Sequence, residues 1–205
     1  MNKLIFFCLL LWLGFSCLSA PAFAQAEKKM PNKIRVIMET ELGKVEVELS
    51  PTKAPLTVRN FLRYVDAGFY DGGIFHRTVT TKPDNQPDKQ IKIDVIQASI
   101  NNTKAKQGFA AIPLERTQKT GLKHEDGTIS MARSEPDSAT SDFFICLGAQ
   151  PELDYGGKRN PDGQGFAAFG RVTKGMNVVR KIQAAPAQGQ RLSPPIKILL
   201  VKRKP

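Results

Sequence analysis

The chain has 205 residues, of which 41% are hydrophobic, and this length allows one domain with a proper core but hardly two. Its 30 Lys and Arg residues outnumber 19 Asp and Glu residues, which gives a formal net charge of +11. Such a charge favours anionic partners. Because the lysines are scattered rather than clustered with aromatic residues, we expect a solvated basic surface and no specific nucleic-acid binding.

The first 24 residues have the pattern of a secretory signal peptide. Lys3 supplies a positive start, residues 4–15 are an unbroken apolar run, and Ala22-Phe23-Ala24 fits a cleavage site with small residues. We therefore predict cleavage after Ala24 and an exported, periplasmic protein. The alternatives are an uncleaved membrane anchor, for which the run is shorter than the roughly 20 residues of a spanning helix, and lipidation at Cys17.

Cysteine and histidine usage excludes two kinds of stabilising chemistry. Removal of the signal leaves Cys146 alone, so the mature domain has no internal disulfide. Cys146 stands in an apolar segment, and we interpret it as a small buried hydrophobe rather than a reactive thiol. His76 and His124 are the only histidines, and neither has companion ligands at a spacing typical of zinc. We expect no metal and no cofactor.

The mature chain begins with a flexible, polar lead-in at residues 25–32, and one domain follows at residues 33–205. Alternating apolar residues at 34–40 and 44–49 predict a hairpin with one buried face. Apolar residues then recur at helical spacing from Val58 to Val65, which predicts an amphipathic helix. Either Pro55 or a capping Thr57 begins this helix, and Gly68 ends it.

The rest of the chain is dominated by short strands. Residues 80–92 and 101–124 are polar and are predicted to be an excursion and a structured surface loop. Further strands are predicted at residues 74–79, 91–98, 127–133, 142–147, 166–172 and 196–201, and a second helix at 176–184. Eight strands and two helices indicate a mainly β fold, a closed eight-stranded antiparallel β-barrel capped by two α-helices.

Hydrolytic chemistry has little support in the sequence. No serine or cysteine stands in a credible nucleophile context, since His76 adjoins Arg77 and His124 lies in a charged loop. We interpret His76 as a structural hydrogen-bonding residue and His124 as solvated surface. No carboxylate is embedded in an apolar strand, and Asp142, at the start of one, is the nearest candidate.

The chemistry that remains needs neither a nucleophile nor a cofactor. Rotation about an X–Pro bond has a barrier of about 20 kcal/mol because amide resonance must be broken. An apolar pocket for the proline ring and a fixed cationic donor lower this barrier. Arginine suits the donor role because it stays charged and presents a rigid fork. Arg77, beside an aromatic residue and facing apolar strands, is the candidate.

Several separated motifs then carry a resemblance that covers about residues 33–203. They are Phe75-His76-Arg77, Gly127-Thr-Ile-Ser-Met-Ala132, Ser141-Asp-Phe-Phe-Ile-Cys146, Leu153-Asp154, Phe169-Gly-Arg-Val-Thr-Lys-Gly-Met176, and Phe61-Leu62 followed by Gly68-Phe-Tyr-Asp-Gly72. In this order they resemble the cyclophilin family of peptidyl-prolyl cis-trans isomerases, in its exported bacterial branch. The resemblance implies the same eight-stranded barrel with two capping helices.

The resemblance also implies roles for individual residues. Arg77 corresponds to the catalytic arginine, and Phe144 to the floor of the proline pocket, a position that strand periodicity alone leaves undecided between groove and core. The substrate-binding residues implied in this way are Gln97, Ala132, Arg133, Asp142, Phe144, Leu153 and Phe166. Proline-containing polypeptides are the implied partners of a protein expected to be monomeric.

Three departures from the family pattern affect this pocket. The link between Arg77 and Gln97 is longer than usual and carries Asp94, while Asp142 stands where the family has a glutamine. We expect that one of these acids could pair with Arg77 and hold it away from the substrate. Glu152 replaces the usual aromatic residue before Leu153, which implies weak or absent cyclosporin binding.

Three functions are consistent with the sequence. The first is an isomerase that accelerates X–Pro rotation during the folding of exported proteins. The second is a cyclophilin-like peptide-binding or chaperone module with low turnover, which acts through its basic surface. The third is an interaction protein whose function lies in the loops at residues 80–92 and 101–124.

Overall fold

The computed structural model describes residues 31–205, so the predicted signal peptide at residues 1–24 lies outside the described residues. Of the predicted lead-in at residues 25–32, only Pro31 and Asn32 are described, and both are exposed and outside any helix or strand. The first strand begins at Ile34.

The described chain contains short strands, two long helices and a few single turns. The strands are β1 Ile34–Thr40, β2 Gly43–Leu49, β3 Ile74–Val79, β4 Val95–Ser99, β5 Thr128–Met131, β6 Phe143–Cys146, β7 Ala167–Lys174, β8 Ala187–Gln188 and β9 Arg191–Arg203. The helices are α1 Pro55–Asp66, the four-residue α2 Thr117–Thr120 and α3 Met176–Gln183, with 3₁₀ turns at Asn102–Gln107 and Pro151–Leu153.

Eight of these strands form one closed antiparallel ring. The order around it is β1-β2-β7-β5-β6-β4-β3-β9, and β9 pairs with β1 to close it. The two-residue β8 pairs only with β9 and extends the ring at one edge. Closure pairs both sides of every strand in the ring, so none is left as a free edge. The predicted eight-stranded barrel is confirmed.

The barrel interior holds the main hydrophobic core, and the two longer helices cover it. Phe61 of α1 packs against Tyr70, Phe143 and Phe169, with ring centroids 5.2 to 5.7 Å apart. Helix α3 packs against β2, β3 and β4 through three buried residues, Val178, Val179 and Ile182. Each helix therefore buries one apolar face, as its spacing predicted.

A second, smaller apolar cluster lies on the outer face of the barrel. Successive side chains of a strand point to opposite faces, so Phe143 belongs to the interior core while its neighbour Phe144 belongs to the outer cluster. The members of this outer cluster are Val79, Ile93, Val95, Phe144, Cys146 and Leu153, with Ala132 and Phe166 packed against it. Cys146 is a free, buried cysteine, and burial raises the pKa of its thiol.

Two strands have boundaries that differ from the expected ones. The strand expected at residues 91–98 begins only at Val95. Upstream of it, the buried Gln86 side chain bonds both the N–H and the C=O of Ile93 and so satisfies that backbone without a neighbouring strand. The closing strand is longer than expected, 13 residues from Arg191 to Arg203.

The start of α1 depends on the loop at residues 101–124. Pro55 occupies an early helical position, as predicted, but Thr57 does not cap the helix: Ala54 is the cap residue and makes no side-chain bond. Instead, the carboxylate of Glu115 accepts the backbone N–H groups of Leu56 and Thr57 at 3.1 and 2.7 Å, and the Thr57 hydroxyl at 2.7 Å. A distant loop therefore supplies the anionic cap.

Residues 31–205 contain neither a candidate membrane span nor a candidate metal cluster. No helix in this part of the chain is long and apolar enough to cross a membrane. No cluster of three or more His, Cys, Asp or Glu side chains there has the arrangement of a metal site.

Candidate active site

A lateral row of paired residues crosses four neighbouring strands. Arg77 of β3 pairs with Gln97 of β4, Gln97 with Phe144 of β6, and Phe144 with Ser130 of β5. Directly opposed residues project from the same face of a sheet. The register alone therefore places the arginine, the glutamine and the phenylalanine side by side on the outer face.

A β-bulge brings Arg77 into this row. Phe75 pairs with Ala98, but the register then shifts, and Arg77 rather than His76 pairs with Gln97. With regular pairing, Arg77 would lie opposite Ile96, which is fully buried in the interior core. The bulge at His76 thus turns Arg77 from the core to the outer face, which is a known use of bulges near functional sites.

Beside the row lies a cavity of about 300 Å³ with an apolar floor. Phe144 and Phe166 meet edge to face there, with ring centroids 5.3 Å apart, and Leu153 stands at the end of its 3₁₀ turn. Seven of the eight predicted site residues line this cavity: Arg77, Gln97, Ala132, Arg133, Phe144, Leu153 and Phe166. The structure therefore brings these seven together, and it does so from six different segments of the chain.

Arg77 is half-buried at the cavity wall and is held by two glutamines. Its Nε and Nη2 donate to the side-chain oxygen of Gln190 at 2.9 and 2.6 Å, and its Nη1 donates to that of Gln97 at 3.0 Å. Burial lowers the pKa of the Arg77 guanidinium, although an arginine in a protein stays protonated. The two glutamines therefore fix the orientation of the Arg77 guanidinium, and because they are neutral they do not compensate its charge.

The expectation that Asp94 or Asp142 pairs with Arg77 is wrong. No ion pair among residues 31–205 includes Arg77. Asp94 instead accepts the backbone N–H and the hydroxyl of Thr81 at 2.9 and 2.8 Å, so it anchors the excursion at residues 80–92. The amide of Gln97 lies between Arg77 and Asp142.

Asp142 does not line the cavity that contains Arg77. It lines an adjacent depression of about 420 Å³ together with residues such as Tyr64 and Phe109. Burial raises the pKa of the Asp142 carboxyl, while the nearby His76 and hydrogen bonds from Gln97 and Ser141 oppose the rise. Among the described residues, Gln97 is therefore the hydrogen-bonded link between Asp142 and Arg77.

Arg133 is neutralised, in contrast to Arg77. Its Nη1 and Nη2 donate to the two carboxylate oxygens of Asp162 at 2.7 and 2.9 Å, and its Nε donates to the carbonyl of Gly165 at 2.8 Å. Its guanidinium also lies 5.1 Å from the centroid of Phe166, a cation–π distance. This forked geometry makes Arg133 part of the rigid wall of the cavity.

The interpretation of His76 as a structural hydrogen-bonding residue is also wrong. Its buried Nδ1 has no hydrogen-bond partner among the described residues. Burial lowers the pKa of the His76 imidazole, and Arg77 acts in the same direction against the raising effect of Asp142. Its position at the bulge, rather than a bond of its side chain, is what connects it to the site.

His124 is not solvated surface, because only 1% of it is exposed. Its Nδ1 lies 2.8 Å from Asp154 Oδ1, and its Nε2 lies 2.9 Å from the Ser130 hydroxyl. The ring also stacks on Phe144, with centroids 5.9 Å apart and planes inclined by 16°. No pattern in the sequence indicates this contact, because His124 and Asp154 lie 30 residues apart in irregular segments.

Ser130, His124 and Asp154 thus have the bonding order of a hydrolytic triad, but they cannot act as one. Ser130 has no exposed surface, and a nucleophile must reach a substrate. Burial alone would raise the pKa of the Asp154 carboxyl, but hydrogen bonds from His124 and the charge of Lys123 hold it below its usual value. The network holds the His124 ring in place, and this ring packs against Phe144.

Several residues at or beside the cavity have no counterpart among the predicted site residues, and three of them are charged or hold Arg77. Arg159 and Lys89 line the cavity, and Gln190 holds Arg77 from the segment between β8 and β9. All three come from irregular segments that carry no periodicity. Only the length of the excursion at residues 80–92, which contains Lys89, marked one of these segments as unusual.

Comparisons with known proteins agree with this fold. Residues 35–203 match the family model described as cyclophilin type peptidyl-prolyl cis-trans isomerase/CLD. Peptidyl-prolyl cis-trans isomerase A of Dickeya dadantii is 37% identical over 183 residues, which cover 89% of this chain and 85% of the relative. Peptidyl-prolyl cis-trans isomerase B of Escherichia coli is 34% identical over 149 residues, or 72% of this chain and 83% of that protein.

Solved structures give the same fold at lower sequence identity. A cyclophilin type peptidyl-prolyl cis-trans isomerase of Cryptosporidium parvum has a TM-score of 0.67 at 21% identity, over 84% of this chain and 98% of that one. A second structure of that protein, crystallised in the presence of the dipeptide Ala-Pro, has a TM-score of 0.66 at 21% identity, over 83% and 99% of the two chains.

The barrel, the cavity and the family match together define a class of enzyme that rotates X–Pro bonds. The chain belongs to the cyclophilin-type peptidyl-prolyl cis-trans isomerases. Its activity is therefore peptidyl-prolyl cis-trans isomerisation, and the predicted function class is confirmed.

Proposed function

We propose that Arg77 is the catalytic residue of this isomerase and that Phe144, Leu153 and Phe166 hold the proline ring. The observation that carries the proposal is an unneutralised, half-buried arginine fixed by two neutral side chains at the edge of an apolar cavity. As the X–Pro bond twists, conjugation is lost and charge on the carbonyl oxygen and nitrogen changes. A preorganised cation stabilises that twisted state more than the planar amide.

Gln97 and Gln190 keep Arg77 in position for this step. Their side-chain oxygens accept three of its N–H groups, so the guanidinium need not reorganise when the substrate twists. Ala132 and the neutralised Arg133 form the neighbouring wall, where the chain flanking the proline would lie. Asp142 contacts substrate only if the peptide extends into the adjacent depression.

The test is the rate of cis–trans exchange of a blocked Ala-Pro peptide, measured by NMR. The wild type should accelerate exchange, and Arg77→Ala should lower kcat/KM by about a hundredfold, the effect typical of losing one preorganised donor. Arg171→Ala is the matched control, since Arg171 is exposed and does not line the cavity. An Arg77→Ala protein as active as the wild type would exclude the proposed role.

The clients we propose are unfolded proteins exported with this one to the periplasm. The basic start, the apolar run and the small residues before Gln25 support this location, and a mature mass that corresponds to cleavage after Ala24 would test it. In addition to accelerating peptide exchange, the protein should accelerate the refolding of an exported protein whose folding is limited by proline isomerisation. No acceleration of either reaction would favour the peptide-binding module instead.

We further propose a monomer with weak cyclosporin affinity. Glu152, which replaces the family's usual aromatic residue, accepts the backbone N–H of Lys158 at 2.8 Å and does not line the cavity. The cavity therefore has no aromatic wall on that side. Cyclosporin should be a poor competitor of the Ala-Pro peptide, and sedimentation of the purified protein should give the mass of one chain.

A further inference from the structure

The cavity has an unusual distribution of charge. Its lining includes four cationic residues, Arg77, Lys89, Arg133 and Arg159, and no Asp or Glu. The ion pair with Asp162 neutralises Arg133. The other three form no ion pair with any residue between 31 and 205. A cavity that must accept only a proline ring does not require three uncompensated cations.

Arg159 is built into the wall rather than solvated at random. Its Nη1 donates to the side-chain oxygen of Gln86 at 2.9 Å and to the carbonyl of Ile91. Gln86 is itself 1% exposed and bonded to the carbonyls of Thr80 and Ile93 at 3.2 and 2.8 Å. The excursion at residues 80–92 therefore fixes Arg159 through neutral acceptors, in the way that two glutamines fix Arg77.

The two guanidiniums are close enough to affect each other. Burial, and after it the charge of Arg77, lower the pKa of Arg159. No bond to Nη2 or Nε of Arg159 is found among the described residues. An anion placed here would relieve the repulsion and would use the open edge of a rigid fork, a geometry that suits a carboxylate.

The apolar floor and the small volume of the cavity limit the kind of molecule that can carry this anion. Phe144, Leu153 and Phe166 are apolar, and a volume of about 300 Å³ is at the lower end of small-molecule pockets. Residues of an extended chain are about 3.5 Å apart. A carboxylate that reaches Arg159 while proline occupies the floor therefore lies on a residue close to that proline.

We propose that the cavity selects prolyl segments in which a residue next to the proline carries a carboxylate side chain, and that Arg159 is the specificity-determining residue that binds it. This inference rests on the roles proposed above for Arg77 and the proline pocket. Arg77 acts on the twisting amide, and Arg159 and Lys89 supply the positive field for the neighbouring carboxylate. Acidic prolyl segments are therefore the preferred substrate class.

The experiment compares matched blocked peptides with Glu or Gln directly before the proline, and a second pair with the substitution directly after it. Dissociation constants and cis–trans exchange rates are measured by NMR in the same samples at low salt. In at least one pair, Glu should bind about five- to tenfold more tightly than Gln, as expected for a charge-assisted contact. The preference should shrink as salt screens the contact.

Variants assign the preference to one side chain. Arg159→Gln should bring the Glu/Gln ratio of dissociation constants close to one, and Arg159→Lys, which keeps the charge, should retain part of it. The control is Lys158→Gln. It removes one positive charge from the neighbouring residue, whose side chain does not line the cavity, and it should leave the ratio unchanged. A ratio unaltered by Arg159→Gln would overturn the assignment.

The outcomes separate this inference from the isomerase function. Tighter binding of Glu peptides without accelerated exchange supports the carboxylate preference and contradicts the proposed catalysis. Accelerated exchange with equal binding of Glu and Gln in both pairs overturns the preference and leaves the catalysis standing. A third peptide with a free carboxyl terminus directly after proline covers the other source of a carboxylate. A preference confined to that peptide overturns the side-chain proposal.

Discussion

The positive charge of Arg77 is left uncompensated because neutral side chains hold it. Gln190 and Gln97 present oxygens to three of its N–H groups, and a carboxylate at either position would bind more strongly. A neutral holder keeps the full positive charge available to the substrate. At the scale of single residues, we therefore attribute positioning to the glutamines and catalysis to the arginine.

Replacing the neutral holder by an acid separates these two effects. Gln190→Glu retains the oxygens that meet Arg77 but compensates its charge, so turnover should fall by about tenfold or more, equal to about 1.4 kcal/mol of transition-state stabilisation. Glu also loses the N–H that Gln190 donates to the carbonyl of Asn85 at 3.0 Å, so this loss offsets the new ion pair and thermal unfolding should occur close to the wild-type temperature. Gln188→Glu, at an exposed position of β8, is the control. Wild-type turnover of Gln190→Glu would show that the charge of Arg77 is not used.

Sequence motifs locate three candidate residues that the structure brings to one cavity, whereas they do not reveal contacts that the fold alone creates. Arg77, Phe144 and Leu153 stand in motifs, and all three line the cavity. His124 was expected at the surface, yet it is bonded to Asp154 and Ser130. Its sequence neighbours are charged, and nothing in them shows that the barrel brings a buried carboxylate within reach.

At the scale of elements, the site depends on one irregularity in β3. The expected strand at residues 74–79 is observed, but alternation along it cannot reveal the bulge at His76. Regular alternation would place Phe75 and Arg77 on the same face. The bulge separates them, and for this reason the aromatic residue fills the core while the arginine faces the cavity.

The capping of α1 by Glu115 gives an element-scale prediction. Glu115→Ala leaves two backbone N–H groups of the first turn without an acceptor, and it should lower the free energy of unfolding by about 1 to 2 kcal/mol in urea titrations. Glu115→Gln keeps an acceptor oxygen and should cost less. Glu125→Ala, at an exposed position, should be neutral. A neutral Glu115→Ala would mean that solvent caps the helix equally well.

The whole molecule uses both faces of one closed sheet. Apolar residues on the inner face fill the barrel, while a smaller set on the outer face forms the floor of the cavity. Binary patterning predicted the barrel, since eight alternating segments and two amphipathic helices suffice for it. It could not predict which loops enclose the outer face, because contacts such as Arg159 with Gln86 join irregular segments 73 residues apart.

We propose that Arg77 stabilises the twisted amide of the substrate and not the planar one. NMR line shapes of a blocked Ala-Pro peptide, titrated with wild type and with Arg77→Ala, give the dissociation constant and the exchange rate of the bound peptide separately. A group used only in the transition state changes the rate and leaves binding almost unaltered. We predict that exchange of the bound peptide slows by about a hundredfold in Arg77→Ala, with a dissociation constant within about threefold of the wild type. Unchanged exchange of the bound peptide together with a large loss of affinity would contradict the claim and would make Arg77 a binding residue.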